Sequence, residues 1–333
     1  MLEDVLKVAA KSRQSRGKGI GMAKLTAAIG GAMIAVGVAG AAHAQSRDAD
    51  GAASPYAIRY NVAAPVSPSS GTSTVSPSSV PQAMERMDAS GSLLDVSLGS
   101  IYAEGKFGTG STTTIWSSAL AARLRAGDWT LSASLPWMQI RSRSMIFTGV
   151  DSTPVLVATD TAATRRTSDG FGDLTLGAAY TIAPRGAPLE IELSGRAKIN
   201  TATTGSRLSS GKNDYAAGID VSVPIGKVIP FASFSYRFLG DTAAYDLRDG
   251  PAASAGTSYA LGTGTFLLAS YHYSRAATAL VRDAHELFAG ASTRITGTPL
   301  RVTGFTTAGL SRGAADYSAG LALSLGVQKH DAR

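Results

Sequence analysis

Between residues 93 and 327 the chain alternates apolar and polar residues, a period of two that sends successive side chains to opposite faces of an extended strand. Two segments show it most clearly. Over 173–182, Leu174, Leu176, Ala178, Tyr180 and Ile182 share one face, and Asp173, Thr175, Gly177, Ala179 and Thr181 the other. Over 189–200, Leu189, Ile191, Leu193, Ala197 and Ile199 oppose Glu190, Glu192, Ser194, Arg196, Lys198 and Asn200. One face suits hydrocarbon and the other requires water. The same reading predicts strands over 93–103, 113–125, 129–140, 214–223, 228–239, 257–261, 265–275, 285–295, 299–310 and 317–327, with the weakest alternation at 257–261. These make about twelve strands, an even number as in bacterial transmembrane barrels.

The connections support that architecture. Those at 126–128, 183–187, 225–227, 262–264 and 296–298 are tight and carry Gly, Pro or Asp, whereas 141–172, 201–213 and 240–256 are long. Barrels of this kind alternate short periplasmic turns with longer outer loops, so the pattern predicts an all-β, transmembrane, antiparallel up-and-down barrel with both termini periplasmic. Tyr102, Trp116, Trp129, Trp137, Tyr180, Tyr215, Phe238, Tyr273 and Tyr317 fall near strand ends, where interfacial aromatic girdles sit. Two-faced strands would also suit a soluble β-sandwich. Such a sheet shows charge to water, however, and only 17% of this chain is charged, against about 25% in ordinary soluble domains.

The first 44 residues carry a basic stretch, an apolar run over 25–42 and then Ala42-His43-Ala44, the small-x-small pattern of a signal-peptidase site. Cleavage is expected between Ala44 and Gln45. Met22 offers an alternative start, which would make 1–21 an over-extended reading frame, and an uncleaved anchor is the competing reading of the apolar run. No later stretch reaches the roughly 20 apolar residues of a spanning helix. Residues 45–90 are rich in Ser, Pro and Ala and are expected to form a flexible periplasmic arm, with plugging of the lumen as the alternative. The barrel then occupies 91–328, followed by a polar tail over 329–333.

The net charge of +7 invites comparison with nucleic-acid binders. The leader accounts for much of it: Lys7, Lys11, Arg13, Arg16, Lys18 and Lys24 stand against Glu3 and Asp4, so the rest holds 25 bases and 22 acids, or +3. No nucleic-acid partner is expected. The chain has no cysteine, which excludes disulfides and thiolate metal sites and accords with export.

The run Gly170-Phe171-Gly172-Asp173-Leu174-Thr175-Leu176-Gly177-Ala178-Ala179-Tyr180 resembles the Gly-x-Gly-Asp-x-x-Leu-Gly-x-x-Tyr segment of the outer-membrane transporter family named for the meta-pathway of phenol degradation. The resemblance extends in layout over 93–327. It implies a barrel for uptake of small compounds, aromatic or hydrophobic ones among them. Barrels of this kind usually end in an aromatic residue read by the outer-membrane assembly machinery. This chain instead ends its last alternating series, from Tyr317 to Leu325, at Val327 and continues into Gln-Lys-His-Asp-Ala-Arg.

Catalytic and metal-binding patterns are sparse. Of four histidines, His43 lies in the leader and His330 in the tail, leaving His272 and His285; no cofactor or metal is expected and the chain does not read as an enzyme. His272 and Ser274 share a face, an arrangement resembling outer-membrane phospholipases but without a nearby Asn. Glu190 and Glu192 are spaced like paired carboxylates, with Arg196 and Lys198 on the same face to neutralise them. Gly170-Phe171-Gly172 lacks the strand-before, helix-after setting of a dinucleotide loop. The polar faces place Asp95, Arg123, Arg125, Asp173, Glu190, Glu192, Arg196, Lys198, Asp220, Arg237, Arg294 and Arg301 along the lumen. Mixed charges there would either select solutes or pair and seal the passage. The 141–172 loop is long enough to fold inward as a lid. Arg141, Arg143, Arg165, Arg166, Arg207 and Lys212 fall at the outer rim, where they would meet lipopolysaccharide phosphates or plain solvent. The expected partners are thus outer-membrane lipid, lipopolysaccharide, the assembly machinery and a small-molecule solute. The leading function is passive passage of small molecules, against a sealed structural or surface-interaction barrel and a barrel hydrolase.

Overall fold

The computed structural model describes residues 92–328, apart from 151–153, 159–163, 186, 204, 241–246 and 263. The expected signal, the Ala44–Gln45 junction, the 45–90 arm and the 329–333 tail lie outside the described residues. The strands are β1 (Ser92–Gly105), β2 (Thr113–Ala126), β3 (Trp129–Ser142), β4 (Met145–Thr148), β5 (Pro154–Ala158), β6 (Arg166–Phe171), β7 (Leu174–Ile182), β8 (Glu190–Ile199), β9 (Asp214–Ser222), β10 (Val228–Phe238), β11 (Gly250–Gly262), β12 (Thr265–Ser274), β13 (Ala284–Arg294), β14 (Leu300–Gly309) and β15 (Tyr317–Gln328).

Twelve of them close into a ring. Each neighbouring pair is antiparallel, from β1 through β2 and β3 to β7 and on to β15, which returns to β1 from Ser92↔Gln328 to Glu104↔Tyr317. Closure pairs every backbone donor and acceptor within the wall and leaves no free edge. The twelve expected strands all form, with three departures in extent. β11 runs over thirteen residues rather than 257–261, because Gly-Pro-Ala-Ala-Ser-Ala-Gly has no apolar–polar contrast to reveal it. β6, within the expected 141–172 loop, pairs with the far half of β3 from Trp137↔Phe171 to Arg141↔Thr167 and on to Ser142↔Arg166, while β7 takes the near half. The break between them carries an extra residue opposite Pro136, whose carbonyl accepts the Gly172 N–H at 2.9 Å; proline in a paired strand is tolerated at such a bulge. The same loop also holds the β4–β5 hairpin.

The outward rows are apolar. Leu98, Leu120 and Leu321 are 60%, 57% and 67% exposed, and Leu124, Leu131, Leu176, Ile219, Phe234, Leu267, Leu287, Leu323 and Leu325 are exposed beside them. Leu174, Ile191 and Leu193 lie on the same outer face, half-exposed. Aromatic residues bracket this belt: Tyr102 contacts Trp116 and Tyr317 near the long-loop end, with ring centroids 6.5 and 6.2 Å apart, and Trp129 meets Tyr180 at 5.0 Å near the short-turn end. Trp129 and Trp137, eight residues apart on β3, stand roughly 20 Å apart in height at about 3.3 Å per residue and about 40° of tilt, comparable to the roughly 25 Å apolar band of outer-membrane barrels. A closed strand ring with an apolar exterior is the strand-built solution to crossing a bilayer.

Candidate functional site

The chemistry of the molecule faces inward. Along β2 the buried positions Thr113, Ile115, Ser117, Ala119, Ala121 and Arg123 alternate with outward ones, and every other strand of the ring follows suit. The pairing places all twelve charged residues of the polar faces on the inward rows. Arg123, Asp173, Glu192, Lys198, Asp220, Arg237 and Arg301 are buried, and Asp95, Arg125, Glu190, Arg196 and Arg294 are partly buried.

These charges fall in two zones. Near the short-turn end, Arg125 reaches Asp95 on the neighbouring strand at 3.1 Å. There Arg301 donates to Ser292 Oγ at 2.9 Å and to the Gly264 carbonyl at 3.3 Å, with its guanidinium carbon 5.8 Å from the centre of the Phe266 ring. Near the long-loop end, Lys198 Nζ lies 3.2 Å from Asp173 and 2.8 Å from Asp214, all three side chains essentially without solvent contact. Asp173 Oδ1 accepts the Thr201 and Ala202 N–H groups, both at 3.0 Å, and its Oδ2 accepts the Ser209 hydroxyl at 2.6 Å. Asp214 Oδ1 accepts the Gly240 N–H at 2.9 Å. The triad therefore ties the β8–β9 and β10–β11 loops to three adjacent strands.

Between these zones lies an apolar cluster of Ile101, Phe231, Phe266, Leu268, Phe288 and Phe305. Phe288 and Phe305 stack with centroids 5.8 Å apart. Phe305 can lie flat on the wall because its cross-strand neighbour is Gly320; a methyl group there would run into its ring. The inward rows of β8 to β10 also carry the small residues Ser194, Ala216 and Ser235, which are half-exposed.

Loop residues pack against the wall at the long-loop end. Phe107, Ile146 and Leu208 come from three different loops and pack with Ala315, from a fourth, and with Ala103, Ile115, Met138 and Ile140 of the wall. Ile146 and the fully buried Val150 show the 141–172 segment turning inward at those positions. The β12–β13 loop is held by Asp283. Its carboxylate accepts the Ala276 N–H at 2.9 Å and the Tyr273 hydroxyl at 2.8 Å, and Ser311 donates to its carbonyl at 2.8 Å. Partial burial opposes ionisation of Asp283, but the Ala276 N–H, the Tyr273 hydroxyl, Arg248 and Arg275 outweigh it and hold the carboxyl below the usual aspartate range. Arg141, Arg143, Arg165, Arg166, Arg207 and Lys212 are all exposed at this end.

The His272–Ser274 pair does not assemble. His272 Nε2 shares a 2.8 Å hydrogen bond with Ser270, while Ser274 Oγ has no hydrogen-bond partner among the described residues. Asp214, Glu286 and the lumen phenylalanines are absent from the residues singled out by charge pattern. Runs such as Phe266-Leu267-Leu268 and Leu287-Phe288, apolar on both faces, carry the signal that marks them. No cluster of three metal-ligating side chains occurs among the described residues.

No family model matches the chain, and no curated protein matches it. Solved structures do. An outer membrane channel from Pseudomonas putida superposes with a TM-score of 0.55 at 12% identity, covering 71% of this chain and 95% of that one. The KdgM porin gives 0.46 at 9% identity, covering 70% and 99%, and the CymD monoaromatic hydrocarbon channel 0.44 at 10%, covering 81% and 99%. The first of these likenesses places the closed twelve-stranded ring within the fold of bacterial outer-membrane β-barrels.

Proposed function

We propose that this chain is a bacterial outer-membrane barrel that lets small molecules pass through its lumen, with aromatic or hydrophobic compounds among its solutes. The observation that carries the reading is the phenylalanine cluster inside the barrel, placed between two charged zones. A solute crossing the lumen exchanges water for phenyl surface, at about 25 cal/mol per Å² of apolar area removed from water. The charged zones would set selectivity at either end, with the exposed arginines at the long-loop rim meeting lipopolysaccharide. In this reading the chain is exported by cleavage between Ala44 and Gln45, with both termini periplasmic, and the assembly machinery accepts a last strand whose alternating series closes on Val327 rather than on an aromatic residue. The resemblance of the Gly170–Tyr180 segment to the phenol meta-pathway family and the likeness to an outer membrane channel of Pseudomonas putida both support passage. The ion pairs Asp95–Arg125 and Lys198 with Asp173 and Asp214 join neighbouring strands, so they brace the wall.

Solute flux into liposomes carrying the purified protein tests this function. Entry of small apolar or aromatic solutes above the rate for empty liposomes is expected. Flux equal to that of empty liposomes for every small solute would refute it.

A further inference from the structure

One patch of the outer wall departs from the apolar belt. Among the described residues, Arg141 is the one lysine or arginine on an outward row of the twelve ring strands. It stands at the long-loop end of β3, between Thr114 of β2 and Thr167 of β6. A second arginine converges on it. Arg165 lies just ahead of β6, on the far side of β3 from β2, yet its guanidinium donates to Thr114 Oγ1 at 3.3 Å. Thr114 faces outward, so the Arg165 side chain crosses the outer face of β3 beside Arg141. Neither arginine has a carboxylate within ion-pair distance among the described residues. Two like charges held over one strand repel each other, and an anion seated between them turns that repulsion into attraction.

Below the arginines the outer face is graded by depth. One ladder row toward the membrane middle, Trp116, Gln139 and Asp169 stand side by side on β2, β3 and β6. The next row brings Trp137 and Phe171, and the one after it Leu120 and Leu135. Each row lies about 5 Å deeper, from two residues at about 3.3 Å each and about 40° of tilt. All of these side chains but Gln139 are exposed. Glu104, on the other side of Thr114, is engaged by the Tyr102 hydroxyl at 2.6 Å. Two guanidiniums suit a phosphate; an amide, a carboxylate and an indole suit the hydroxyls and ring of a sugar; aromatic and leucine rows suit acyl chains.

We propose that the long-loop end of β2, β3 and β6 docks a phosphorylated glycolipid of the outer leaflet, the lipid anchor of lipopolysaccharide. A phosphate sits between Arg141 and Arg165, and the acyl chains run down past Trp137, Phe171 and Leu120. The inference rests on the long-loop end being the outer one, as the proposed function has it, and confines the lipopolysaccharide contact to one face of the barrel. A glycolipid without phosphate gains the sugar and acyl contacts alone, and a phosphorylated glycerolipid brings phosphate without the sugar.

Native mass spectrometry of the full chain in detergent, titrated with diphosphorylated lipid A and with the same lipid stripped of its phosphates, tests it. The diphosphorylated form is expected to bind about tenfold more tightly. Arg141→Gln with Arg165→Gln is expected to cut that preference below about twofold. Arg282→Gln with Arg312→Gln removes two exposed charges from the β12–β13 and β14–β15 loops and should leave the preference within about twofold of its original value. Phosphatidylglycerol should bind more weakly than diphosphorylated lipid A. Equal binding of the two lipid A forms by the unaltered protein, a comparison that needs no variant, would overturn the site. So would an equal loss in both double variants, which marks diffuse rim charge, or phosphatidylglycerol binding as tight as that of diphosphorylated lipid A. Liposome flux separates this from the broader reading. Flux without a phosphate preference refutes the lipid site and leaves passage standing, whereas a phosphate preference without flux refutes passage and leaves the site.

Discussion

Replacing Lys198 by methionine should be among the most damaging single changes in the barrel. The ammonium group lies 3.2 Å from Asp173 and 2.8 Å from Asp214, with all three side chains out of contact with water. Methionine keeps the length of the side chain but leaves two carboxylates facing each other without a counter-charge. Both are anchored by loop donors, Thr201, Ala202 and Ser209 on Asp173 and Gly240 on Asp214, so neither can turn to solvent without releasing its loop. Removing one member of a buried ionic group costs about 3–5 kcal/mol, whereas replacing the whole group by neutral partners costs far less. Equilibrium unfolding by urea from lipid vesicles should therefore show Lys198→Met less stable by about 3–5 kcal/mol, and Lys198→Met/Asp173→Asn/Asp214→Asn closer to the unaltered protein than the single variant is. Limited proteolysis within 200–213 should accelerate in the single variant. A loss below about 1 kcal/mol for Lys198→Met, or a triple variant worse than the single one, would refute the account of the triad.

Two further outcomes follow from the belt and the loops. Leu120→Arg puts a guanidinium at an outward position near the middle of β2 and should cost about 2–4 kcal/mol in the same vesicle assay, while Ser118→Arg, closer to the aromatic girdle, should cost less. The carboxyl of Asp283 is held below its unfolded-state value, so its contribution to loop order is present above about pH 4 and is lost as the pH falls through the lower folded-state value. Hydrogen exchange at the Ala276 amide should consequently show constant protection from about pH 7 to about pH 4 and a loss below that, and Asp283→Asn should abolish the dependence.

How much of this was readable from the chain differs from element to element. β7 and β8 declare themselves because Leu174, Leu176, Ile191 and Leu193 must meet lipid while Glu190, Glu192 and Lys198 cannot. β11 hides most of its length because Ala252, Ser254 and Gly256 differ too little from their outward neighbours in polarity, and packing beside β10 and β12 decides its extent. β6 hides for a different reason: Arg-Thr-Ser-Asp-Gly-Phe has no period, and its strand state comes from pairing with β3. The charged lumen rows follow from alternation, but the triad does not. Asp214 meets Lys198 only through the β8–β9 register, and a shift by one residue would send it outward. The phenylalanine cluster escaped a reading that assigned water to the whole inner face, although Phe266-Leu267-Leu268 breaks the alternation openly.

The account depends most on which side chains touch lipid. The chain contains no cysteine, so single cysteines carrying a fluorophore can be introduced at each position from 117 to 124 on β2 without interference. Quenching by brominated lipid in vesicles should be strong at 118, 120, 122 and 124 and weak at 117, 119, 121 and 123. Uniform quenching, or the opposite alternation, would contradict the lipid-facing belt and the barrel orientation on which the proposed function stands.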